Sequence, residues 1–183
     1  EISWVVVSGP PQRRVEAQRA MTMLVRRAAR GTLTCGDFRD GFFPAEYGAI
    51  KAFFESLKRL SAPDLIFCHE RNDRHQDHRI VNEMVWSTFR DHMVLEYEVP
   101  KWDGGLGDPN VYVPVSAAQM RAKLRTLMTA YRSQRHRDWF SQETFMALAR
   151  LRGIECRSRS GYAEAFHARK LRFAGLSAGS TRR

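Results

Sequence analysis

The sequence predicts an α/β protein in which a mainly parallel sheet lies between two layers of helices. Short apolar runs rich in β-branched residues alternate along the chain with longer segments of helical periodicity. Such alternation is typical of parallel sheets, because each parallel connection must cross back over the sheet. With 183 residues, of which 43% are hydrophobic, the chain is long enough for one domain, assigned to residues 1–174.

The first half of the chain contains two predicted strands and three predicted helices. The first strand ends at Ser8–Pro11, the first helix ends at Gly31, and Ser61–Pro63 ends the second helix. In chain order, the predicted elements are a strand at 2–7, a helix at 13–29, a loop at 32–43, a helix at 45–60, a strand at 64–68 and a helix at 78–92.

The second half continues with strands at 94–99 and 111–115, which are joined by a loop rich in Gly, Asp and Pro. Ser116 and Gln119 match a capping box, which predicts a helix that runs to about Tyr131. Another predicted helix covers 141–152. The tail at 175–183 is rich in Gly and Ser, and we expect it to be disordered.

The net charge of +10 is concentrated in the last third of the chain. Residues 121–183 hold 15 Lys and Arg against 4 Asp and Glu, whereas residues 1–120 are nearly neutral. A basic surface of this kind attracts nucleic acid, an acidic membrane or an anionic substrate, and it also occurs as an ordinary solvated face. Three cysteines without a CxxC pair predict free thiols and a reducing, cytoplasmic setting. No apolar run approaches the roughly 18 to 20 residues of a membrane span.

The most informative segment is His69–His78, which packs three of the six histidines and three carboxylates into ten residues. It lies between a predicted strand and a predicted helix, where open α/β sheets place their ligands. Imidazole and carboxylate groups are the ligands that suit a catalytic zinc ion. The same pattern also fits a hydrophilic loop followed by an ordinary capped helix, and the residues alone leave both interpretations open.

The positions within this segment predict different roles. Asp77 is a candidate N-cap, which places His78 in the first helical turn, where the helix dipole keeps its imidazole neutral and able to bind a cation. His75 lies on the loop three residues earlier. A carboxylate such as Asp77 or Asp73 can accept a hydrogen bond from His75 and fix its tautomer, so that His75 acts as a general acid.

These residues resemble a known family, the zinc deacetylases of the PIG-L/LmbE-like type, which are related to the enzyme that removes acetate from N-acetylglucosaminyl phosphatidylinositol. Pro63-Asp64, an apolar strand, His69, Asp73 and His75–His78 match the second signature of that family. Weaker similarities lie at Arg13, Glu16-Ala17, Asp40-Gly41, Ser133-Gln134 and Ala163–Phe166.

The resemblance implies a Rossmann-like three-layer sandwich and a metal-dependent hydrolase that removes the N-acetyl group from an N-acetylglucosamine-type sugar or conjugate. It makes His78 a Zn²⁺ ligand, although N/O sites accept other divalent metals. His75, oriented by Asp77, would protonate the departing amine, with Asp73 in the same loop. Arg13 and Asp40 would hold sugar hydroxyls or a phosphate, because the substrates of this family are often linked to phosphate or nucleotide groups. Oligomeric state stays open.

The sequence departs from the family in one respect. The family's first strand ends in H-P-D-D and supplies two further zinc ligands and the general base, and that motif is absent from these 183 residues. We therefore expect that the first strand is missing and that these residues alone are inactive. Two alternatives stay open: a catalytically inactive relative, and a basic nucleic-acid-binding module around Arg121–Arg137 and Arg150–Arg159. For the second alternative the chain carries no nucleic-acid signature, so we expect no specific nucleic-acid partner.

Overall fold

A computed structural model describes residues 1–25, 30–60 and 62–171, so part of the first predicted helix and the predicted disordered tail lie outside the described residues. The described chain is an alternating α/β fold, as predicted. Its strands are β1 (Ile2–Val6), β2 (Gly31–Cys35), β3 (Leu65–His69), β4 (Met93–Tyr97), β5 (Val111–Pro114) and β6 (Ala163–Ala168). Its α-helices are α1 (Pro11–Val25), α2 (Tyr47–Leu60), α3 (Gln76–Thr88), α4 (Ala117–Ala130) and α5 (Gln142–Glu155).

The strands form two sheets rather than one. β1 and β2 pair in parallel, with Val6 opposite Cys35. The second sheet has the order β3-β4-β6-β5, in which β3 and β4 are parallel and β6 runs antiparallel to both β4 and β5. The parallel pairs are those joined by crossover helices, whereas β5 and β6 form an antiparallel end to the second sheet.

Two strands were not predicted. β2 lies within the segment that we expected to be a loop, because its sequence, Gly-Thr-Leu-Thr-Cys, is short and contains one strongly apolar side chain. β6 alternates strictly between buried and half-buried residues, but its buried positions are Ala163, Ala165 and His167, which carry little hydrophobic signal. The capping box was predicted correctly: Ser116 Oγ accepts from Gln119 N–H and Gln119 Oε1 accepts from Ser116 N–H.

One hydrophobic core joins the two sheets. Buried residues of α2 and α3, among them Ile50, Phe54 and Met84, pack against Val7 after β1 and Cys68 in β3. Burial of these side chains is the main stabilising term of the fold, at roughly 25 cal/mol per Å² of apolar surface. The core therefore holds β1 and β3 under the same helices although neither strand pairs with the other.

β1 and β3 are both edge strands of their sheets. Within the described residues, β1 pairs with β2 alone and β3 pairs with β4 alone. Two large apolar side chains of β3 are correspondingly exposed, Leu65 by 38% and Phe67 by 52%. Both strands have the apolar sequence that is typical of the interior of a sheet. At an edge, each strand instead leaves apolar side chains exposed and the backbone of one side unpaired.

All three cysteines are free, as predicted. No helix among residues 1–25, 30–60 and 62–171 is long and apolar enough to cross a membrane.

Candidate active site

The loops that follow the parallel strands meet at one edge of the fold. The loop after β2 reaches the first turn of α3, because Gly41 N–H donates to Asp77 Oδ2 at 2.5 Å. The loop after β4 reaches the loop after β3, because Lys101 Nζ donates to Asp73 Oδ2 at 2.9 Å. This is the edge at which open α/β sheets bind their ligands, and it holds the histidine-rich segment.

Asp73 fixes the orientation of His78. The Asp73 side chain is 3% exposed, and its Oδ2 lies 2.9 Å from His78 Nδ1. Burial would raise the pKa of Asp73, but hydrogen bonds from His78, Lys101 and the backbone N–H of His75 hold it well below its ordinary value. An ionised carboxylate can only accept a hydrogen bond, so His78 carries a proton on Nδ1, and in the neutral imidazole Nε2 is the unprotonated nitrogen. Nε2 is therefore the nitrogen able to bind a cation.

Lys101 completes the partners of Asp73. Its side chain is 7% exposed and donates to Asp73 Oδ2, Val99 O at 3.3 Å and Gly104 O at 3.1 Å. Three acceptors satisfy all three ammonium protons, so a buried cation balances the buried carboxylate. Sequence analysis missed this residue, because a single lysine in a Gly- and Asp-rich loop carries no signal of a contact with a loop 28 positions earlier.

The predicted N-cap of α3 was wrong. His75, rather than Asp77, occupies that position, and its Nδ1 accepts from Asp77 N–H at 3.3 Å. Asp77 lies in the first helical turn, where its carboxylate accepts from Gly41 N–H and from Phe43 N–H at 3.1 Å. The Asp77 carboxylate thus holds the loop after β2 instead of orienting the His75 ring. Gly41 has φ +81°, a conformation that favours glycine and that aims its N–H at Asp77.

A third histidine lies beneath the other two. The His69 ring stacks on His78 with 4.0 Å between centroids and lies 5.0 Å from the Tyr97 ring, while the His75 ring is 4.7 Å from His78. Burial, reinforced by the nearby His78, lowers the pKa of His69 to about 3. His69 is therefore neutral at physiological pH, and its Nδ1 is buried without a hydrogen-bond partner in the described structure.

The two predicted substrate residues lie at the same edge but do not contact the histidines. Asp40 is exposed on the turn before Gly41. Arg13 lies in the first turn of α1 and pairs with Glu16, with 3.5 Å between Nη1 and Oε2. Glu16 in turn accepts from Ser133 N–H and Ser133 Oγ at 2.8 and 2.7 Å, which ties α1 to the segment after α4. Their expected role in substrate binding stays a prediction.

The described residues fit a metal ion only in part. Neutral His78 offers an oriented Nε2, and its ring is held by a buried carboxylate in the manner of a metal-bound histidine. However, no three His, Cys, Asp or Glu side chains in the described part of the chain are grouped as a ligand set. A catalytic zinc ion usually takes three protein ligands, so His78 alone does not make a centre.

A surface cavity lies away from the histidine cluster. Its volume is about 470 Å³, and it runs along the outer side of α3, lined by Pro44, Arg71, Gln76, Arg79, Ile80, Asn82, Glu83 and Trp86. None of the three histidines lines it. The candidate site is therefore located by the chemistry of the histidine cluster and not by this cavity.

Comparison with known proteins gives a fold but no family. No protein-family model and no curated protein matches the chain. A conserved protein from Thermus thermophilus has a similar structure, with TM-score 0.66, 22% identity and coverage of 93% of this chain and 78% of that one. The deacetylase of the A40926 pseudoaglycone superposes with TM-score 0.67 at 15% identity, over 96% and 87% of the two chains. The N,N'-diacetylchitobiose deacetylase from Pyrococcus horikoshii gives TM-score 0.62 at 19% identity, over 85% and 62%.

These similarities define the class of fold and not the reaction. Several of the matching structures are deacetylases, and one is the zinc-inhibited form of a teicoplanin deacetylase. Another is a hydratase, the 4-carboxy-2-hydroxymuconate hydratase of Pseudomonas putida, with TM-score 0.64 at 14% identity over 90% and 73% of the two chains. The chain thus has the α/β fold that these deacetylases share, and the same fold supports a second kind of chemistry.

Proposed function

We propose that this chain is the larger part of a metal-dependent N-deacetylase that hydrolyses the acetamido group of an N-acetylglucosamine-type sugar. The observation that carries the proposal is the Asp73–His78 pair, which presents an unprotonated imidazole nitrogen beside His75 at the ligand-binding edge of the fold. The signature residues of the PIG-L/LmbE-like family occupy these positions, and solved deacetylases share the fold. The similarity in sequence and the similarity in structure therefore support the same reaction.

Asp73, His78 and His75 have separate roles in the proposed amide hydrolysis. Asp73 holds His78 by Nδ1, so that His78 offers Nε2 to a metal ion. His75 accepts from Asp77 N–H at Nδ1, which leaves Nε2 as the protonated nitrogen. As water adds to the acyl carbon and the C–N bond breaks, His75 would protonate the amine nitrogen from its imidazolium form, in which Nδ1 also carries a proton and no longer accepts from Asp77 N–H. His75 would be left as the neutral imidazole. The products are acetate and the free amino sugar.

A zinc ion in such a site lowers the pKa of bound water and polarises the amide carbonyl. Its other ligands are proposed to come from a strand ending in H-P-D-D, as the family resemblance implies. The edges of β1 and β3 support this arrangement, because both strands lie under one helical layer and each has a free edge. A parallel strand between them would cover the exposed Leu65 and Phe67 and end beside His78.

Two observations favour other functions, and each defines an alternative. The hydratase of the same fold shows that this architecture also serves the addition of water to a substrate without loss of acetate. The lack of a complete ligand set among the described residues favours an inactive relative. An assay that measures acetate and free amine together separates the deacetylase from both alternatives, because a hydratase and an inactive relative release neither product.

The test uses the product of the whole reading frame that encodes this chain. N-acetylglucosamine and N,N'-diacetylchitobiose are incubated with the protein and zinc, and acetate is measured. We expect release that a chelator abolishes, that His78→Ala abolishes, and that His75→Ala lowers by roughly 10²- to 10⁴-fold, the size of general-acid catalysis. His92→Gln, outside the cluster, serves as the matched control. Equal acetate release by wild type and His78→Ala would reject the proposal.

A further inference from the structure

The loop that carries Lys101, residues 98–107, is closed at its base by a buried ion pair. Gly107 N–H donates to Glu98 Oε1 at 2.9 Å, which joins the two ends of the loop. Arg152 of α5 donates from Nη2 to Glu98 Oε1 at 2.5 Å and to Gly107 O at 2.9 Å, and from Nε to Glu98 Oε2 at 2.8 Å. One guanidinium therefore bridges both ends of the Lys101 loop.

Every donor of the Arg152 guanidinium has an acceptor. Besides the bonds to the loop, Nη1 donates to both carboxylate oxygens of Glu155 at 2.7 and 2.9 Å, so all five N–H groups are used. The side chains of Arg152 and Glu98 are only 8% and 4% exposed. A buried, bidentate arginine–carboxylate pair fixes direction as well as charge. The pair therefore holds the base of the Lys101 loop in one conformation.

The residue after Arg152 brings α5 close to the turn before β6. A Cβ atom at Gly153 would lie 2.3 Å from Gly161 O, nearer than real Cβ contacts allow, so glycine is required at this position. The backbone that carries Arg152 is therefore held directly against the second sheet, and the guanidinium reaches the loop from a fixed position.

The tip of the Lys101 loop contacts the histidine-rich segment. Lys101 Nζ donates to Asp73 Oδ2, and its other two acceptors are carbonyl oxygens of the loop itself. Gly105 has φ +84°, and a Cβ atom there would lie 3.1 Å from Arg74 Cγ, so the loop lies directly against the residue before His75. The acceptors around the Lys101 ammonium stay in place only while the loop keeps its conformation.

We propose that Arg152 is a positioning residue for the candidate site. It closes the base of the loop and so keeps Lys101 on Asp73, the carboxylate that orients the His78 ring. The inference rests on the proposed function in taking His78 as the ring that must be oriented. Loss of the Arg152 fork should therefore loosen the site without removing any group from it.

The test compares Arg152→Lys with Glu155→Gln in the whole reading-frame product. A lysine at position 152 keeps a positive charge beside the buried Glu98, but an ammonium does not reproduce the planar fork that bridges both loop ends. Glu155 accepts from Arg152 and from Tyr112 of β5 rather than from the loop, and its side chain is 40% exposed, so Glu155→Gln is the matched control. Urea denaturation first identifies conditions in which every variant is folded.

Two measurements are made on each folded variant. The first is the rate at which the His78 Nδ1 proton exchanges with water, followed by NMR without a metal ion, and the second is the dissociation constant for zinc. We expect Arg152→Lys to accelerate the exchange and to weaken zinc binding by roughly two- to thirtyfold, the range for a residue that acts through a contact network. Glu155→Gln should change neither. Arg152→Lys added to Lys101→Met should have no further effect, because both act on the same contact.

The exchange rate is measured without zinc or hydrolysis, so the two proposals fail separately. Faster exchange in Arg152→Lys, in a protein that releases no acetate, would reject the deacetylase reaction and retain the positioning role. Three results would overturn the positioning role whether or not acetate is released: wild-type exchange in folded Arg152→Lys, an equal change in Glu155→Gln, and additive effects of Arg152→Lys and Lys101→Met.

Discussion

The buried carboxylate of Asp73 and the imidazole of His78 are joined by a 2.9 Å hydrogen bond between Oδ2 and Nδ1. This contact decides which nitrogen of His78 is available, and it ties the first turn of α3 to the loop after β3. The same carboxylate oxygen binds Lys101, so one buried group organises residues from two loops. Both the chemistry of His78 and the stability of the two loops therefore depend on Asp73.

The first prediction concerns the tautomer of His78. In the described chain, His78 should be the Nδ1–H tautomer, because ionised Asp73 can only accept a hydrogen bond. Asp73→Asn should allow both tautomers. Nitrogen-15 chemical shifts of the imidazole measure this directly without a metal ion. Asp64→Asn, at the exposed start of β3, should leave the shifts unchanged, and a His78 ring protonated on Nε2 in the wild type would contradict the assignment.

The second prediction concerns Lys101. Lys101→Met should lower the free energy of unfolding by about 3 kcal/mol, because removal of one partner leaves the Asp73 carboxylate buried with less compensation. Lys123→Met is a matched control, since Lys123 and Glu164 form a pair with side chains 36% and 35% exposed. That pair should contribute about 0.2 to 1 kcal/mol. Urea denaturation measures the free energy of unfolding of both variants. Equal losses would show that the buried Lys101 pair contributes no more to stability than the exposed Lys123 pair.

The third prediction separates two roles for Asp77. If its carboxylate holds the loop after β2, Asp77→Asn should destabilise the chain by about 1 to 2 kcal/mol through one lost acceptor. Amide hydrogen exchange should accelerate at Gly41 and Phe43, the two donors. The exposed Asp40→Asn should change the free energy of unfolding by less than about 0.5 kcal/mol. Unchanged exchange at Gly41, with a shifted His75 resonance, would instead support the predicted role in orienting His75.

The fourth prediction concerns the pH dependence of stability through Glu96, which is fully buried. Burial would raise its pKa, but hydrogen bonds from Asn82, Trp86, Arg169 and the backbone N–H of Arg71 lower it from the ordinary value of 4.5. A carboxyl whose pKa is lower in the folded state stabilises the fold above its unfolded pKa. That stability is lost as the pH falls below this ordinary value towards the folded value.

Glu96→Gln tests this dependence. The variant should be less stable than wild type at pH 7 by about 2 kcal/mol, since charge-assisted hydrogen bonds are replaced by neutral ones. The difference between the two proteins should shrink as the pH is lowered from about 5 to about 3, the range in which the carboxyl titrates. Urea midpoints at each pH measure it, and a difference that is independent of pH would contradict the lowered pKa of Glu96.

The sequence predicted most helices and the apolar strands because their signals are local. The Ser116 capping box and the apolar β3 strand are examples, and both occur where expected. β2 and β6 escaped prediction because they gain their stability from pairing, and Ala163 and Ala165 carry too little apolar area to mark a strand. The segment His69–His78 predicted where the candidate site lies. It did not predict the hydrogen bonds and ion pairs that connect the residues of the site.

Most of the contacts that were missed are long-range. Lys101 meets Asp73 and Arg137 meets Trp102 across loops whose conformation no local pattern determines. Asp77 was assigned to the N-cap because Asp is favoured there, but His75 Nδ1 serves as the acceptor and leaves the Asp77 carboxylate for the loop after β2. Residue types thus indicated where the chemistry lies, and tertiary contacts decided what each residue does.

A zinc titration of the whole reading-frame product, followed by the nitrogen-15 resonances of its histidines, decides whether His78 binds a metal ion. We expect Nε2 of His78 to shift on binding of one zinc ion, while His92 and His136 do not respond. We also expect Asp73→Asn to weaken zinc binding by about 10- to 100-fold, as loss of an orienting carboxylate does. Zinc binding that leaves the His78 resonance unchanged, or no zinc binding at all, would contradict the proposed metal site.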